Sequence, residues 1–486
     1  MARFQSVEAF APISSDDLIL LPLRFERLKN NRVAVANMVG DIILLDESEF
    51  LKLIGLNVVP GDTLYERGTE HLILGRKGRT SVLQLLALRL RSRMAFLRAP
   101  TGLHILVVTL RCEHSCPYCQ VSRRSTDVDR YDMSKATALQ ALEVAMSTPN
   151  PRIKIEFQGG EPLLNFPLIQ FAVEAAKSMA SQYGKVVEFV IATNLALLNE
   201  TVLAFCLAEN VMLSTSLDGP ADLHNKNRPR PGGNSHQLAV QGIQRAKEVL
   251  GADRVGALMT TTEASLDRVE EIVDEYIRLG LDGIFLRPLS PYGFALKTKT
   301  FQAYDVSKWL IFYERGLRYV LDINRKGVHF PEFYSALLLQ RMLTDRPTGY
   351  VDLRSPAGIG LGALVYNYDG SVFASDEGRM LAEMGDRTFQ LGKLGEHDYR
   401  ALVMSEKMLD MVGGSLSQTS PQCESCAFEG HCGSDPVYHH ATQGDPVGHK
   451  AFSGFCARQK GITDLLLTIL DENGADAAVL RSWISL

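Results

Sequence analysis

Apolar strand patterns and helical patterns alternate along the middle of this chain, and this alternation limits the fold more than any other feature. Six strand patterns are separated by five helical patterns between residues 99 and 287. The predicted strands are 103–110, 152–157, 186–192, 211–217, 254–261 and 283–287. Most are apolar on both faces, as strands buried in a parallel sheet are. The sequence therefore predicts an α/β fold of βα units, with functional loops at the C-terminal ends of strands.

Three cysteines follow the first predicted strand directly. Cys112, Cys116 and Cys119 have the spacing Cys-x3-Cys-x2-Cys. Three thiolates on one short loop can hold three irons of a four-iron cluster and leave the fourth iron open to another ligand. The spacing alone also allows a zinc knuckle with His114 as fourth ligand, or a redox disulfide pair.

This loop, with Tyr118 before its last cysteine, resembles the signature of the radical S-adenosylmethionine (SAM) family. The resemblance implies a partial (βα)6 barrel that agrees with the six predicted strands. It also implies a SAM-binding [4Fe-4S] cluster, at which reductive cleavage of SAM gives a 5′-deoxyadenosyl radical, with Tyr118 among the residues at the cofactor.

A Gly-Gly-Glu-Pro segment at 159–162, after the second predicted strand, resembles a second motif of that family. Glycines such as Gly160 allow the backbone to approach a ligand closely. The carboxylate of Glu161 can accept hydrogen bonds from the ammonium group of SAM. The same four residues are also typical of an ordinary turn.

Residues 214–228 resemble the SLDGPxxxHDxxR stretch of peptide-modifying members of the family. The resemblance implies that Ser216 contacts SAM and that the guanidinium of Arg228 pairs with the SAM carboxylate. The chain has His224-Asn225 where the family has His-Asp. Leu289 falls where a family leucine touches adenine. A capping serine and a solvated arginine are the alternative interpretations.

Four further cysteines lie near the C-terminus and resemble the SPASM-type auxiliary-cluster domain of radical SAM maturases. They are Cys423, Cys426, Cys432 and Cys456. The resemblance implies that together they ligate one auxiliary [4Fe-4S] cluster, and a four-thiolate zinc site is the alternative. The other auxiliary cluster of the full pattern needs cysteines where this chain has Ser375 and Pro436, so we expect two clusters in total.

Asp376 aligns with an aspartate that acts as a base in the sulfatase-maturing relatives, which predicts a catalytic role as proton acceptor. Its neighbours Glu377 and Gly378 also allow a turn aspartate.

Composition limits the partners and the cellular compartment that we expect for this chain. The net charge of −5 gives no indication of nucleic acid or membrane partners. Seven of the eight cysteines fall in the two groups, which favours metal ligation in a reducing compartment, and residues 1–17 lack the apolar core of a signal peptide. We therefore expect a cytoplasmic protein. Cys206 stands alone in an apolar helical pattern, as a buried hydrophobic residue does.

The predicted organisation has three parts. Residues 1–98 form an N-terminal α+β extension, faintly similar to peptide-recognition domains. Residues 99–335 form the core barrel, and residues 336–486 form the auxiliary-cluster domain.

Residues 367–381 resemble the maturase of His-Xaa-Ser repeat peptide systems most closely. This resemblance implies an enzyme that modifies a ribosomally made precursor peptide, with a side-chain crosslink as the expected product and a flavodoxin- or ferredoxin-type electron donor. Two alternatives stay open: a sulfatase-type maturase that forms formylglycine, and a non-catalytic iron–sulfur or zinc protein.

Overall fold

The computed structural model describes residues 17–302 and 305–485. The first sixteen residues of the predicted N-terminal extension, and most of the segment tested for a signal peptide, lie outside these ranges. No helix within the described ranges combines the length and the apolarity needed to cross a membrane.

The N-terminal part contains two small antiparallel sheets and three helices. Its strands are β1 (Leu18–Leu20), β2 (Leu23–Arg27), β3 (Val33–Asn37), β4 (Ile42–Leu45) and β5 (Leu74–Arg76), and its helices are α1 (Glu47–Ile54), α2 (Thr63–Glu70) and α3 (Ser81–Arg93). Strands β2, β3 and β4 form one sheet, and β1 pairs with β5. The sequence pattern at 17–25 predicts a single strand, but the structure has two, β1 and β2, and no sequence pattern predicted α2 or β5.

An eight-stranded sheet forms the centre of the molecule. In chain order its strands are β6 (Leu103–Thr109), β7 (Arg152–Gly159), β8 (Val186–Thr193), β9 (Val211–Ser216), β10 (Val255–Leu258), β11 (Ala363–Tyr366), β12 (Ser371–Phe373) and β13 (Gln390–Lys393). Their order across the sheet is β10-β9-β8-β7-β6-β11-β12-β13. Pairing is parallel from β10 to β11, while β12 and β13 are antiparallel to their neighbours.

The sixth predicted strand, at 283–287, is wrong. Ile284 makes a single isolated bridge with Glu332 and exchanges backbone hydrogen bonds with Pro331 and Phe333. The Arg287 carbonyl accepts one further bond from the Thr261 N–H, beyond the end of β10, but these bonds do not form a strand ladder. The sixth parallel strand is β11, which pairs with β6 at the opposite side of the sheet. The two parts predicted to divide at residue 335 therefore share one sheet.

Helices cover the sheet and build the C-terminal part. They are α4 (Val128–Tyr131), α5 (Lys135–Met146), α6 (Phe166–Tyr183), α7 (Glu200–Glu209), α8 (Ala221–Asn227), α9 (Ser235–Leu250), α10 (Val269–Arg278), α11 (Phe294–Lys297), α12 (Val306–Arg325), α13 (Phe333–Leu343), α14 (Asp376–Ala382), α15 (Tyr399–Val403), α16 (Glu406–Gly414), α17 (Pro436–Gln443), α18 (Gly454–Glu472) and α19 (Ala475–Ser482). The helical patterns at 200–209 and 235–250 predict α7 and α9 with the bounds that the structure has. Ser134 caps α5, because its side chain accepts a hydrogen bond from the Thr137 backbone N–H.

The N-terminal sheet is attached to the C-terminal part by a buried ion pair. Arg24 of β2 contacts Glu429 at 2.7 Å, and the two side chains are 4% and 1% exposed. Apolar residues of β3 also pack against Ala427 and Phe428. These contacts bring the N-terminal part close to the C-terminal cysteines.

Candidate functional site

A cavity of about 500 Å³ lies at the C-terminal ends of β6 to β9. Residues of these strands and of the loops that follow them line the cavity, together with residues from 350–380 and 434–437. The side chains of Cys112, Cys116 and Cys119 all line it. The loop that carries them leaves β6 at its carboxyl end, which is where functional loops lie in parallel βα folds.

The thiols in this cavity form a donor set that fits an iron–sulfur cluster. None of the eight cysteines, all within the described ranges, is joined in a disulfide. Three thiolates on one loop are the ligands that a four-iron cluster with one open iron requires.

His114 lies beside the cysteines, but neighbouring side chains occupy its ring. Its Nε2 is 2.8 Å from the hydroxyl of Ser235, and its Nδ1 is 3.0 Å from Glu113. The Cys112, Glu113 and His114 ligand atoms lie within 4.8 Å of one another. Because both ring nitrogens already have partners, the geometry favours a positioning role for His114 over zinc ligation.

The two glycines at the end of β7, Gly159 and Gly160, are required because two backbone segments approach each other closely there. A Cβ atom added at Gly160 would lie 2.2 Å from the Arg111 carbonyl oxygen, and one at Gly159 would lie 2.1 Å from the Thr109 carbonyl oxygen. Both carbonyls belong to the segment that leads into the cysteine loop. Because these glycines have no side chain, the end of β7 can pack directly against that segment. Both residues also line the cavity.

Glu161 is turned away from the cavity. Its carboxylate accepts hydrogen bonds from the Thr193 hydroxyl at 2.6 Å and from the backbone N–H groups of Leu163 and Asn194 at 3.0 and 2.8 Å. Burial, together with the nearby charge of Glu113, raises the pKa of Glu161 to about 7. In this arrangement the carboxylate joins the ends of β7 and β8, and its role at SAM stays a prediction.

Asp218 connects two of the predicted site residues. It accepts hydrogen bonds from the Tyr118 hydroxyl at 2.5 Å and from Arg228 Nε and Nη2 at 3.0 and 3.2 Å. Burial by itself would raise the pKa of Asp218, but the charges of Arg228 and His224 and these hydrogen bonds hold it below its usual value. Asp218 thus orients Arg228, which lines the cavity beside the cysteines.

Ser216 and Leu289 occupy different environments. Ser216 is the last residue of β9 and lines the cavity. Leu289 is fully buried in the main hydrophobic core and is not among the described residues that line the cavity. The structure thus brings Ser216, Arg228 and the three cysteines together, and it places Leu289 apart from them.

Asp376 lines the same cavity as the three cysteines. Its Oδ1 accepts hydrogen bonds from Arg379 Nε and Nη2 at 3.1 and 2.8 Å, and Arg379 is fully buried. Ser375 and Pro436, where the resemblance would place two further cysteines, also line this cavity. The wall therefore carries a hydroxyl and a proline ring at those two positions.

Several acidic residues of the cavity were not found from the sequence. Glu156 points inward from β7 and accepts a hydrogen bond from Gln158 at 2.8 Å. Lys154, Glu156 and Gln158 are polar at alternate positions of a strand expected to be buried, and this signal could have identified them. Asp352, Glu377 and Asp435 also line the cavity, but no local pattern marks them.

The C-terminal cysteines form a second group. Burial and the neighbouring thiols of Cys426, Cys456 and Cys423 raise the pKa of Cys432. All four are partly buried and free. Four thiols that influence one another in this way fit either a fully ligated cluster or a zinc ion.

Comparison with known proteins finds a family match in the central part of the chain. Residues 106–276 match the model of the Radical SAM superfamily. The matched segment contains the three-cysteine loop, Gly160, Ser216 and Arg228.

Two sequence relatives come from archaea. An uncharacterized protein of Methanocaldococcus jannaschii is 30% identical over 188 residues, which are 38% of this chain and 62% of that protein. An uncharacterized protein of Methanothermobacter thermautotrophicus is 26% identical over 224 residues, which are 45% of this chain and 78% of that protein. The chain thus spans less than two thirds of the length of the first relative.

Two solved proteins share the fold over most of the chain. Native anSMEcpe with bound AdoMet has a TM-score of 0.62 at 17% identity, over 76% of this chain and 99% of that chain. Streptococcus suis SuiB bound to the precursor peptide SuiA has a TM-score of 0.52 at 16% identity, over 90% of this chain and 98% of that chain. At these identities the likeness concerns the fold alone.

Proposed function

We propose that this chain is a radical SAM enzyme that modifies a side chain of a ribosomally made precursor peptide, with a crosslink as the product. The observation that carries the proposal is the shared cavity, in which a three-cysteine loop lies with Ser216 and Arg228 inside the segment that matches the Radical SAM superfamily. The fold shared with SuiB and anSMEcpe, whose structures contain bound peptides, supports a peptide substrate. When bound, the cluster would supply the electron for reductive cleavage of SAM.

The residues around the cavity have distinct proposed roles. Cys112, Cys116 and Cys119 hold the cluster, and the guanidinium of Arg228 binds the SAM carboxylate. Ser216 offers a hydroxyl to the ribose.

Asp376 is the proposed proton acceptor. It lines the cavity, and its two hydrogen bonds from Arg379 fix the direction of the carboxylate. A base must be held within reach of the substrate proton, and the hydrogen bonds from Arg379 hold the Asp376 carboxylate in one orientation.

We also propose that the four C-terminal cysteines hold one fully ligated [4Fe-4S] cluster, through which the excess electron would leave. A separate flavodoxin- or ferredoxin-type protein is the proposed one-electron donor. The grouping of the four thiols supports this assignment. The N-terminal part is the proposed contact region for the precursor peptide. The His-Xaa-Ser repeat as substrate stays part of the same proposal.

The first experiment measures SAM cleavage. The protein is reconstituted with iron and sulfide under anaerobic conditions and incubated with SAM and dithionite. Wild type should form 5′-deoxyadenosine, and Cys116→Ala should form none. Cys206→Ala is the matched control. Cys206 is fully buried in α7, so this substitution is expected to leave the product unchanged. If wild type with intact clusters forms no 5′-deoxyadenosine, the proposal is wrong.

Metal analysis tests the second cluster. Two four-iron clusters require about eight irons per chain. Cys456→Ala should retain about four, while Cys206→Ala should retain about eight. Zinc bound at the C-terminal cysteines would contradict the proposed auxiliary cluster without affecting the SAM-binding one.

The product test separates a crosslink from formylglycine. Wild type is incubated with SAM, dithionite and a synthetic peptide that contains His-Xaa-Ser repeats. A hydrazine probe labels the aldehyde of formylglycine, whereas a crosslinked peptide stays unlabelled and gives a truncated fragment ladder in mass spectrometry. A labelled product would favour the sulfatase-type alternative.

A further inference from the structure

A smaller chamber of about 90 Å³ adjoins the main cavity. The two spaces share six lining residues, so they are direct neighbours. These shared residues are Phe285, Arg287, Tyr350, Asp352, Glu377 and Asp435. We refer to this space as the carboxylate chamber, because three of the six are acidic.

Aromatic rings form much of the wall of the carboxylate chamber. Phe285 stacks on Tyr334 with ring centroids 5.4 Å apart, and Trp309 lies 5.0 Å from Tyr313. All four rings line the chamber. The faces of such rings attract cations, and they do so more strongly where water is excluded.

Polar atoms in the same wall have no partner within the protein. The Tyr292 hydroxyl, the Trp309 indole N–H and Gln459 Oε1 are buried without a hydrogen bond among the described residues. Tyr292 and Trp309 are each 1% exposed. Native proteins rarely leave such groups unsatisfied, because each one costs about 1–3 kcal/mol. The hydroxyl and the amide oxygen can both accept a hydrogen bond from a ligand N–H group, and the indole can donate to a ligand carbonyl.

The charges of the chamber are unbalanced at Glu377. The charges of Arg287 and Arg458 favour ionisation of Asp352 and Asp435, respectively. Glu377 forms no ion pair with any of the described residues, and burial and the neighbouring carboxylates of Asp352, Asp376 and Asp435 all raise its pKa. Arg379 pairs with Asp376. The chamber thus contains a carboxylate beside aromatic faces and free hydrogen-bond acceptors, without a cation of its own at that carboxylate.

We propose that the carboxylate chamber binds a positively charged side chain, an ammonium or a guanidinium, of the peptide substrate. This inference rests on the proposed peptide-modifying function and specifies its substrate class. The side chain would enter through the main cavity and pair with Glu377. Its N–H groups would donate hydrogen bonds to the free oxygens of Tyr292 and Gln459. A neighbouring residue of the same peptide would then lie in the main cavity, which the three cysteines also line.

The test uses small probes in place of the unidentified peptide. Binding of n-butylammonium, n-butylguanidinium and n-butanol to the anaerobically reconstituted protein is measured by saturation-transfer difference NMR. The three probes have the same alkyl chain and differ in their head group. Variants are Glu377→Gln, which keeps the side-chain shape and removes the charge, and Tyr292→Phe, which removes one acceptor. Glu406→Gln, at an exposed position of α16, is the matched control.

At least one of the two cations should bind to wild type and to Glu406→Gln, and n-butanol should bind much more weakly. Loss of one charge-assisted contact should weaken cation binding roughly tenfold in Glu377→Gln. Tyr292→Phe should weaken it by a smaller factor and keeps the test valid if Glu377→Gln folds poorly. The stronger cation identifies the head group.

Equal signals from n-butanol and both cations, or cation binding unchanged in both Glu377→Gln and Tyr292→Phe, would overturn the proposal and mark the chamber as space for water. SAM cleavage by wild type is measured on the same samples. Cation binding without 5′-deoxyadenosine would contradict the proposed function alone, and 5′-deoxyadenosine without cation binding would contradict the chamber alone.

Discussion

The guanidinium of Arg228 is held by both carboxylate oxygens of Asp218, at 3.0 and 3.2 Å. Asp218 is fully buried and also receives the Tyr118 hydroxyl and the Thr260 backbone N–H. One carboxylate therefore connects the loop after β9 to the cysteine loop. The residue proposed to bind SAM depends on a neighbour that does not itself line the cavity among the described residues.

We predict that Asp218→Asn destabilises the protein by about 3–5 kcal/mol, because it leaves the buried charge of Arg228 without a partner. The measurement is the thermal midpoint, followed by the affinity for SAM. Asp222→Asn is the matched control, since Asp222 also pairs with an arginine, Arg268, but is 71% exposed. Exposed pairs contribute little. Equal midpoints for the two variants would show that Asp218 is not needed for the site.

The second prediction concerns Gly160. In Gly160→Ala the new methyl group meets the Arg111 carbonyl oxygen at 2.2 Å, and neither backbone segment can yield without moving the cysteine loop. Overpacking of this kind costs about 1–3 kcal/mol. We expect a lower thermal midpoint and reduced iron in the SAM-binding cluster.

Gly256→Ala is the control for this substitution, because a Cβ atom at Gly256 of β10 meets nothing within 4 Å. It should leave both the midpoint and the iron content near the wild-type values. Normal iron content in Gly160→Ala would mean that the contact between β7 and the cysteine loop does not hold the loop in place.

Local patterns predicted the parts of this fold that local physics determines. The strands β6 to β9 and the helices α7 and α9 follow from their periodicity and from caps such as Asn199, which accepts a hydrogen bond from Val202 N–H. The apolar run at 283–287 has the pattern of a strand, but its backbone hydrogen bonds are divided between residues 331–333 and Thr261, so no continuous ladder forms. The true sixth parallel strand, β11, is fixed by pairing with β6 more than 250 residues earlier in the chain. No short stretch of sequence contains the information needed to predict the pairing of β11 with β6.

In the candidate site, too, some features follow from local sequence and others depend on residues far away in the chain. The spacing of the three cysteines predicted their presence on one loop at a strand end, and the structure places them on one cavity wall. The motif around Glu161 does not show which way the carboxylate turns, because that depends on Thr193 and Asn194 of the next strand. Glu377 and Asp435 approach the cavity only through the packing of α14 and α17.

The third prediction tests how the N-terminal part is held. Arg24→Met should leave Glu429 buried and unpaired, which costs about 3–5 kcal/mol, and should detach the N-terminal sheet from the C-terminal part. Limited proteolysis should then cleave the chain between α3 and β6 faster than in wild type.

Arg27→Met in the same strand is the control, because the Arg27–Glu47 pair is exposed, at 58% and 50% of the two side chains. It should resemble wild type. Cleavage at the wild-type rate in Arg24→Met would show that apolar contacts such as those of Phe428 are enough to hold the two parts together.

The last prediction is a pH dependence at Asp435. Burial is the main cause that raises the pKa of Asp435 to about 6 from its usual 3.8, and Asp352 adds to this, while the Tyr438 backbone N–H, Arg458 and Lys450 oppose it. Between these two values the folded protein holds a proton that the unfolded chain has released, so the free energy of unfolding falls as the pH rises. Asp435→Asn removes this loss but keeps the cap of α17, because asparagine also accepts a hydrogen bond from Tyr438 N–H. Thermal midpoints measured from pH 4 to pH 7.5 should thus diverge in favour of the variant up to about pH 6 and then run in parallel. Glu377 and Asp352 still titrate in the variant, but Glu377 loses the repulsion of the Asp435 carboxylate, so the divergence includes that change as well. Parallel curves over the whole range would mean that the carboxyl of Asp435 is not perturbed by its place in the cavity wall.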